Sequence, residues 1–402
     1  MKIGILTFHR SINNGAVMQC YSLSKLLKES LSEHEIEVID YQMEKVDKSY
    51  QPTLSTYLSG GSIPGKVKRL IKFIINPRMF DDARIKYQVF NNAITHLPLS
   101  EFHIIDDSSI EIEKYITDNI DILVVGSDAI WNYSTRGFPN AYFPSRGLRC
   151  KKVSYAASCY GMDFLKCKDS DRKEIRNRLE DFSFIGVRDT ATKNFVRWSG
   201  CPIQPVHTCD PTLCLDVDSL PINIDELNKK LIERGFDYKR RSIGVMGNDE
   251  MANMVKRMFG NSYQIVSLFN RNPSADVQLF DLSPFEWAYV FRYFSLTFTT
   301  YFHGTMLSLR NGVPVICVAL ETDFSKKHTP KVLDALDRLG FKDWYFHTDY
   351  KTSNVEAIRH KAEELLSVEW RETIIESVNK ESKTFDSFID CLKSICNGGE
   401  TK

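Results

Sequence analysis

The sequence has no surplus of either charge. Lysine and arginine total 52 residues and aspartate and glutamate also total 52, so the formal net charge of the 402-residue chain is zero. Proteins that bind nucleic acids usually carry a basic surplus. The composition therefore gives no support to a nucleic-acid partner, and we expect none. Hydrophobic residues make up 43% of the chain, which predicts a substantial core in two or three domains.

Long apolar runs are also missing. No segment approaches the roughly 20 apolar residues that a membrane-spanning helix needs. The N-terminal apolar stretch, MKIGILTF, leads straight into the polar residues HRSINNG and is too short for the core of a signal peptide. We therefore expect a cytoplasmic protein, at most peripheral at the inner face of the membrane.

Ten cysteines are present, but none lies in a CxxC pair. Cys209 and Cys214 have four residues between them, as do Cys391 and Cys396, and neither this spacing nor the nearby histidines indicates a zinc site. We predict free thiols, as in a protein of a reducing compartment, and no metal.

Short apolar runs alternate with amphipathic helical patterns along most of the chain. This alternation is typical of an α/β protein, in which helices connect the strands of a parallel sheet. The first unit is the clearest, with a buried strand at 2–7, a polar loop, a helix at 16–29 and a second strand at 36–41.

The segment 210–224 is rich in proline and aspartate and resembles a hinge, so we place a domain boundary near residue 220. We predict an N-terminal domain at 1–220 and a C-terminal domain at 221–402. The last helices, within 368–396, are predicted to cross back to the other domain.

Residues 44–80 interrupt the alternation with QPTLSTYLSGGSIPG and the basic run GKVKRLIKFIINPR. We predict an insertion or lid in the N-terminal domain rather than a core element. The basic residues of 66–78 either form an ordinary solvated helix face or contact an anionic membrane surface or a lipid-diphosphate substrate.

Residues 299–316, TTYFHGTMLSLRNGVPVI, place a histidine between a strand and a helix. Ligands bind at the carboxyl ends of strands in open α/β sheets, and the free N–H groups of a helix N-terminus suit phosphate or carboxylate. His303 is therefore a candidate proton donor near neutral pH. The alternative is that it caps the helix or makes a core hydrogen bond.

The loop HRSINNGAVMQC lies between the first strand and the first helix. Its Asn14-Gly15 pair permits close approach of the backbone, but it forms no GxGxxG motif and gives little support to a nicotinamide site. The alternative interpretation is a simple helix cap by Asn13 or Asn14.

In DILVVGSDAIWN, polar residues and an aromatic ring follow another strand. Ser127, Asp128 and Asn132 supply hydrogen-bonding groups, and Trp131 supplies a flat face, a combination that suits a sugar. The alternative interpretation makes Asp128 a helix cap and Trp131 part of the core.

The segment GVRDTATKNF places Arg188 where a strand gives way to a helix. A guanidinium at such a position can bind an anion through two hydrogen bonds, although an ion pair with Asp189 is the alternative. In CDPTLCL we interpret Asp210 chiefly as part of a structural turn that faces the cleft.

In this order the segments resemble the polysaccharide pyruvyltransferase family. The match consists of NGA at 14–16, VVGSDAIWN, SYAAS, VRD, DPT and FHGTMLSLRNGVPVI, spread over roughly residues 1–320. The resemblance implies a GT-B-like fold, with two Rossmann-like domains facing a cleft. The N-terminal domain (1–220) is then on the acceptor side and the C-terminal domain (221–402) on the donor side. It also implies that phosphoenolpyruvate is the donor, a sugar diol of a capsule, exopolysaccharide or cell-wall precursor is the acceptor, and phosphate leaves as a pyruvate ketal forms. Phosphoenolpyruvate is a co-substrate, so no cofactor is implied.

The family's motifs also imply residue roles. The histidine of its H-G motif falls on His303 and the arginine of its V-R-D motif on Arg188, and we predict these two and Asp128 as catalytic residues. The predicted substrate-binding residues are Asn14, Gly15, Ser127, Trp131, Asn132, Tyr301, Gly304, Thr305 and Arg310.

Many family members have an arginine two positions before the histidine, where this chain has Tyr301. Either Arg188, Arg310 and helix N–H groups suffice for the donor, or the donor is held differently.

The mechanism that we expect begins with protonation of the donor's methylene carbon by His303, and Asp128 binds or deprotonates the sugar hydroxyl. Two other functions stay open at this point: a GT-B glycosyltransferase that uses a nucleotide sugar, and a non-catalytic, sugar-binding family member. The basic run at 66–78 favours a lipid-linked acceptor slightly.

Overall fold

The architecture is described from a computed structural model, in which residues 1–44, 78–134, 137–320 and 328–399 are described. The predicted insertion at 44–80, with the basic run at 66–78, lies almost entirely outside these residues. Within them, strands and helices alternate as the sequence predicts, and they form two parallel sheets of six strands each.

The first sheet has the strand order β2-β1-β5-β6-β7-β8, and all neighbouring strands are parallel. A small pair, β3 with β4, lies beside it. The elements of this half are β1 (Lys2–Leu6), α1 (Asn14–Ser30), β2 (Glu35–Val38), β3 (Tyr41–Gln42), α2 (Arg78–Ile94), β4 (Ile104–Ile105), α3 (Ile110–Asn119), β5 (Ile122–Val125), β6 (Lys151–Ala157), α4 (Asp169–Leu179), β7 (Phe182–Val187), α5 (Thr190–Ser199) and β8 (Val206–His207).

The second sheet has the order β11-β10-β9-β12-β13-β14 and is also parallel throughout. Its elements are α6 (Ile224–Glu233), β9 (Ser242–Met246), α7 (Asp249–Phe259), β10 (Gln264–Leu268), β11 (Val277–Leu279), α8 (Pro284–Val290), β12 (Leu296–Thr299), α9 (Phe302–Arg310), β13 (Val315–Ala319), α10 (Lys331–Arg338), β14 (Tyr345–His347) and α11 (Val355–Ser367). The predicted boundary near residue 220 falls between the last strand of the first sheet and the first strand of the second.

Parallel strands are covered by helices on both faces, so their central residues are buried on both sides. The central strands show this directly, since all four residues of β5 and all five of β9 are buried. The loops that follow the strands lie along the carboxyl edge of each sheet.

The chain ends in two further helices, α12 (Arg371–Ser382) and α13 (Thr384–Cys396). The apolar face of α13 packs against the first sheet, and Phe388 lies with its ring centre 4.7 Å from that of Tyr155 in β6. Thus the C-terminal helix returns to the half of the molecule that the N-terminal residues form.

Two other observations bear on the sequence-based expectations. The ten cysteines are all free thiols. Within the described parts of the chain, no helix is both long and apolar enough to cross a membrane.

Candidate active site

Polar residues from both halves converge where the two sheets face each other. Asp128 follows β5, Arg188 follows β7 and Asp210 follows β8, so all three lie at the carboxyl edge of the first sheet. His303 lies in the first turn of α9, directly after β12 of the second sheet. Because ligands of open parallel sheets bind outside the carboxyl ends of the strands, this cluster is the candidate active site.

Arg188 is the central cation of this cluster, and it is almost fully buried at 1% exposure. Its Nη1 donates to Oδ2 of Asp210 at 2.9 Å, and its Nη2 lies 3.6 Å from Oδ1 of Asp128. Its guanidinium also stacks over the ring of Phe302 at 4.5 Å. Among the described residues, Nε and Nη2 have no hydrogen-bond partner, so two donors of a buried cation remain available.

Asp210 connects the two halves of the site. Besides Arg188, it accepts hydrogen bonds from Nε2 of Gln19 at 2.5 Å and from the backbone and hydroxyl of Thr212. Burial alone would raise the pKa of Asp210, but His303, Arg188 and the Thr212 hydrogen bonds lower it below its ordinary value. The sequence analysis interpreted Asp210 as a turn residue. The cap on the short turn Pro211–Cys214 is real, but the same carboxylate also holds Arg188.

His303 lies against the start of α1. A Cβ added at Gly15 would come within 1.9 Å of the imidazole Cδ2, so only glycine allows the helix to approach the ring this closely. Nδ1 lies 4.0 Å from Oδ2 of Asp210 and has no hydrogen bond within the described chain. Burial, with the nearby Arg188 and Lys331 cations, lowers the pKa of His303 to about 4, although Asp210 and Asp128 oppose the shift.

Lys331 is a further cation of the site that the sequence analysis missed. It is the first residue of α10, and its Nζ lies 5.1 Å from the ring centre of Tyr160 and 5.2 Å from that of Phe302. It forms no ion pair within 4 Å with any described carboxylate. Burial and the neighbouring Arg188 lower the pKa of Lys331 to about 8. The one sequence feature that could have indicated this cation is the position of the lysine, directly after a proline at the start of a helix.

Asp128 and its neighbours form the opposite wall of the site. Asp128 has a φ of 77°, in the left-handed region, and its Oδ1 accepts from the N–H of Ala129 at 2.7 Å. Burial would raise its pKa, but Arg188, Lys331 and His303 lower it to about 2. Three buried side-chain oxygens of this part of the molecule have no hydrogen-bond partner among the described residues: Ser127 Oγ, Asn14 Oδ1 and Gln19 Oε1.

Two predicted sugar-binding residues have structural roles instead. Trp131 is fully buried, its Nε1 donates to the carbonyl of Tyr142 at 3.0 Å, and its ring stacks on Phe143. Asn132 donates from Nδ2 to the carbonyl of Tyr160 at 2.8 Å. The prediction of a stacking face at Trp131 was wrong because the chain turns at Asp128 and directs the indole into the core.

The predicted substrate-binding residues at 301–305 lie partly at the surface of the site and partly in the core. Tyr301 is 41% exposed at the start of α9, whereas Thr305 is fully buried and its Oγ1 bonds to the carbonyl of Tyr301 and to Cys317. Gly304 packs against Thr299 and Met246, where a Cβ would lie within 2.6 Å of Thr299 Oγ1. Thr305 therefore does not face the cleft, and Gly304 serves the packing of α9 on the sheet.

Arg310 does not reach the cleft, which corrects its predicted role in substrate binding. It is the last residue of α9, so it lies at the opposite end of the helix from His303. Its Nε donates to the carbonyl of Leu215, and its Nη1 donates to Oδ1 of Asn379 at 3.3 Å.

The chain matches the model of the family described as polysaccharide pyruvyl transferase over residues 13–322, more than half of its length. It belongs to this family. The matched segment includes the strand ends that carry Asp128, Arg188, Asp210 and His303, but it ends before Lys331. No curated protein matches the chain.

Solved structures confirm the predicted fold class. A putative UDP-N-acetylglucosamine 2-epimerase from Listeria monocytogenes matches with a TM-score of 0.55 and 11% identity, over 100% of this chain and 98% of that one. UDP-GlcNAc 2-epimerase from Neisseria meningitidis, bound to UDP-GlcNAc, matches with a TM-score of 0.51 and 9% identity, over 98% and 100% of the two chains. Their two-domain GT-B architecture is the one predicted from the sequence.

Proposed function

We propose that this family member forms a pyruvate ketal on a sugar of a cell-surface glycan precursor, with phosphoenolpyruvate as donor and phosphate as leaving group. The observation that carries the proposal is Arg188, a buried guanidinium with two unpaired donors beside Lys331. Phosphoenolpyruvate carries two anionic groups, a phosphate and a carboxylate. The two cations Arg188 and Lys331, together with the N-terminus of α9, suit both groups.

In this proposal Arg188, Lys331 and the N–H groups of α9 hold the donor. Lys331 takes the part of the arginine that many relatives have at the position of Tyr301. Lys331 is largely protonated at neutral pH, since its pKa is about 8. Both cations also stabilise the negative charge that grows on the departing phosphate.

His303 supplies the proton for the donor's methylene carbon. Its imidazole is neutral at pH 7 in the structure, because its pKa is about 4. The negative charge of the donor raises this pKa, so the ring takes up a proton from water as the donor binds. Transfer of that proton to the methylene carbon leaves a cationic, electrophilic C2.

The acceptor completes the reaction from the side of Asp128. A first hydroxyl attacks C2, the bond between C2 and the phosphate oxygen breaks, and the second hydroxyl attacks C2 to close the ketal. One hydroxyl proton returns to His303 and the other leaves with phosphate. A carboxylate with a pKa of about 2 is a weak base, so Asp128 orients a hydroxyl as a hydrogen-bond acceptor rather than removing its proton.

Calorimetric titration with phosphoenolpyruvate tests the donor assignment. We expect the wild-type protein to bind phosphoenolpyruvate and the Lys331→Gln and Arg188→Lys variants to bind it at least about tenfold more weakly, because each loses a charge-assisted contact. Lys342→Gln is the matched control, since Lys342 is an exposed lysine whose one ion pair among the described residues is with Asp337. Binding of a nucleotide sugar with no binding of phosphoenolpyruvate would reject the proposal in favour of glycosyl transfer.

A further inference from the structure

A second cluster of cations lies outside the cleft. A cavity of about 330 Å³ opens at the C-terminal end of α9 and is lined by Arg292, Arg310 and Arg371. Arg292 follows α8, Arg310 ends α9 and Arg371 begins α12, so the three guanidinium groups approach the cavity from three different elements. Arg310 lies seven positions after His303 on α9, about 10 Å along the helix axis, so this cavity is distinct from the active site.

The arginines of this cavity are incompletely paired. In the described part of the chain, the guanidinium groups of Arg310 and Arg371 donate only to neutral oxygens. Arg310 donates to Leu215 and Asn379, and Nη1 of Arg371 donates to the carbonyl of Asn311 at 3.2 Å. Within the described residues, neither guanidinium lies within 4 Å of a carboxylate. Burial lowers the pKa of Arg310, which shows that water solvates this cation poorly.

Arg292 differs because it has one acidic partner. Its Nη2 lies 2.8 Å from Oδ1 of Asp218, but the side chain of Asp218 is 78% exposed. The Nε of Arg292 is buried and has no hydrogen-bond partner among the described residues. The second carboxylate of the cavity, Asp216, accepts the backbone N–H of Asp218. Three cations thus face two carboxylates, of which Asp218 pairs with Arg292 and Asp216 caps the turn at Val217–Ser219.

We propose that this cavity is a second anion site, which binds the phosphate or diphosphate group of a small molecule. A planar guanidinium group can donate two parallel hydrogen bonds to two oxygens of one phosphate. Three guanidinium groups that approach from different directions match a tetrahedral phosphate better than a flat carboxylate. An adjoining cavity of about 250 Å³ shares Arg292 and Arg371 and adds Arg241. A diphosphate therefore has cationic partners along both cavities.

The proposal is tested by calorimetric titration of the full chain with inorganic pyrophosphate. We expect the wild-type protein to bind pyrophosphate in this cavity and Arg371→Gln to weaken that binding at least about tenfold. Arg371→Lys should weaken it less, because lysine keeps the positive charge although it loses the planar pair of N–H donors. Arg84→Gln removes the same charge from an exposed position on α2 and should titrate like wild type.

Arg371 lies at the start of a surface helix, so its variants are expected to fold, and their melting temperatures verify this. Binding of pyrophosphate in the active-site cleft is distinguished in two ways. It is reduced by added phosphoenolpyruvate, and its affinity is unchanged in the Arg371→Gln variant. Loss of an Arg371-dependent component supports the second site. Titrations of Arg371→Gln and Arg84→Gln that both match wild type would overturn it.

Discussion

Gly15 and His303 touch across the cleft, and this contact ties the start of α1 to the residue proposed to donate a proton. The Asn14-Gly15 pair was predicted to allow close approach of the backbone to a ligand. The structure gives the glycine a different neighbour, the imidazole ring itself. The conformational freedom of Gly15 matters less than its missing Cβ.

Gly15→Ala tests this contact. The added methyl group would overlap the imidazole, so His303 or α1 must move, and a displacement of about 1 Å at a reacting group is sufficient to lower turnover by about 100-fold. Gly147→Ala is the matched control, since a Cβ at Gly147 meets nothing within 4 Å. Equal turnover of the two variants would show that the contact does not position His303.

Lys331 gives the donor site a dependence on pH. The lysine binds an anion only when protonated, and donor binding raises its pKa above the value of about 8. The affinity for phosphoenolpyruvate is therefore fully present below about pH 8 and falls, by up to about tenfold per pH unit, as the pH rises further. The phosphate group of the donor is already ionised in this range, because such groups have a second pKa of about 6.

The Lys331→Arg variant separates this lysine from other titrating groups. Arginine stays protonated between roughly pH 7 and pH 10. The affinity of the variant for phosphoenolpyruvate should therefore be nearly constant over this range, whereas the affinity of the wild-type protein declines above about pH 8. Calorimetry at several pH values measures both proteins. If the affinity of the variant for phosphoenolpyruvate declines with pH as that of wild type does, the pH dependence belongs to a group other than Lys331.

Sequence reasoning found part of this site, for a physical reason. Arg188 and His303 directly follow strands, and the position of a strand end can be derived from the pattern of apolar residues. Lys331 reaches the site only through the packing of α10, which no local pattern encodes. The orientation of Trp131 is likewise set by the turn at Asp128.

At the scale of elements, α13 is the part of the C-terminal chain that holds the two halves together. Its apolar residues complete the core under the first sheet, and Phe388 is fully buried there beside Tyr155. Nearby, Arg338 of α10 donates to the carbonyl of Arg188 at 3.1 Å and pairs with Glu381 of α12. The helix α10, which carries Lys331, therefore contacts the strand end that carries Arg188, and α12 is linked to α10 through Arg338.

Phe388→Ala should lower the free energy of unfolding of the N-terminal half by about 3–5 kcal/mol, because it removes a large buried side chain and leaves a cavity. Urea denaturation followed by tryptophan fluorescence measures the loss. Phe102→Ala, at a position that is 61% exposed, serves as the control and should change stability little. If both variants unfold at the same urea concentration, α13 does not contribute to the core as described.

The elements themselves were largely predictable, with exceptions at the edges. The strand predicted at 36–41 is divided into β2 and β3, because the chain leaves the first sheet after Val38 and pairs with β4. The three-residue strands β11 and β14 were not predicted, since so short an apolar run has no periodicity. They lie at the two edges of the second sheet, where tertiary contacts decide the pairing.

At the scale of the whole molecule, the alternation of strands and helices was sufficient to predict two parallel sheets. It did not show how the sheets face each other. The structure supplies that relation through contacts that join the halves: Gly15 with His303, and Arg188 with Phe302. The site is composite, so neither domain contains the proposed machinery alone.

The central claim is tested most directly by incubating the protein with phosphoenolpyruvate and a panel of nucleotide-linked and lipid-linked sugars, with phosphate release and product mass measured together. The account predicts that one acceptor stimulates phosphate release and gains the mass of a pyruvate ketal, with His303→Ala inactive although folded. Phosphate release without a ketal product, or near-normal turnover by His303→Ala, would contradict it.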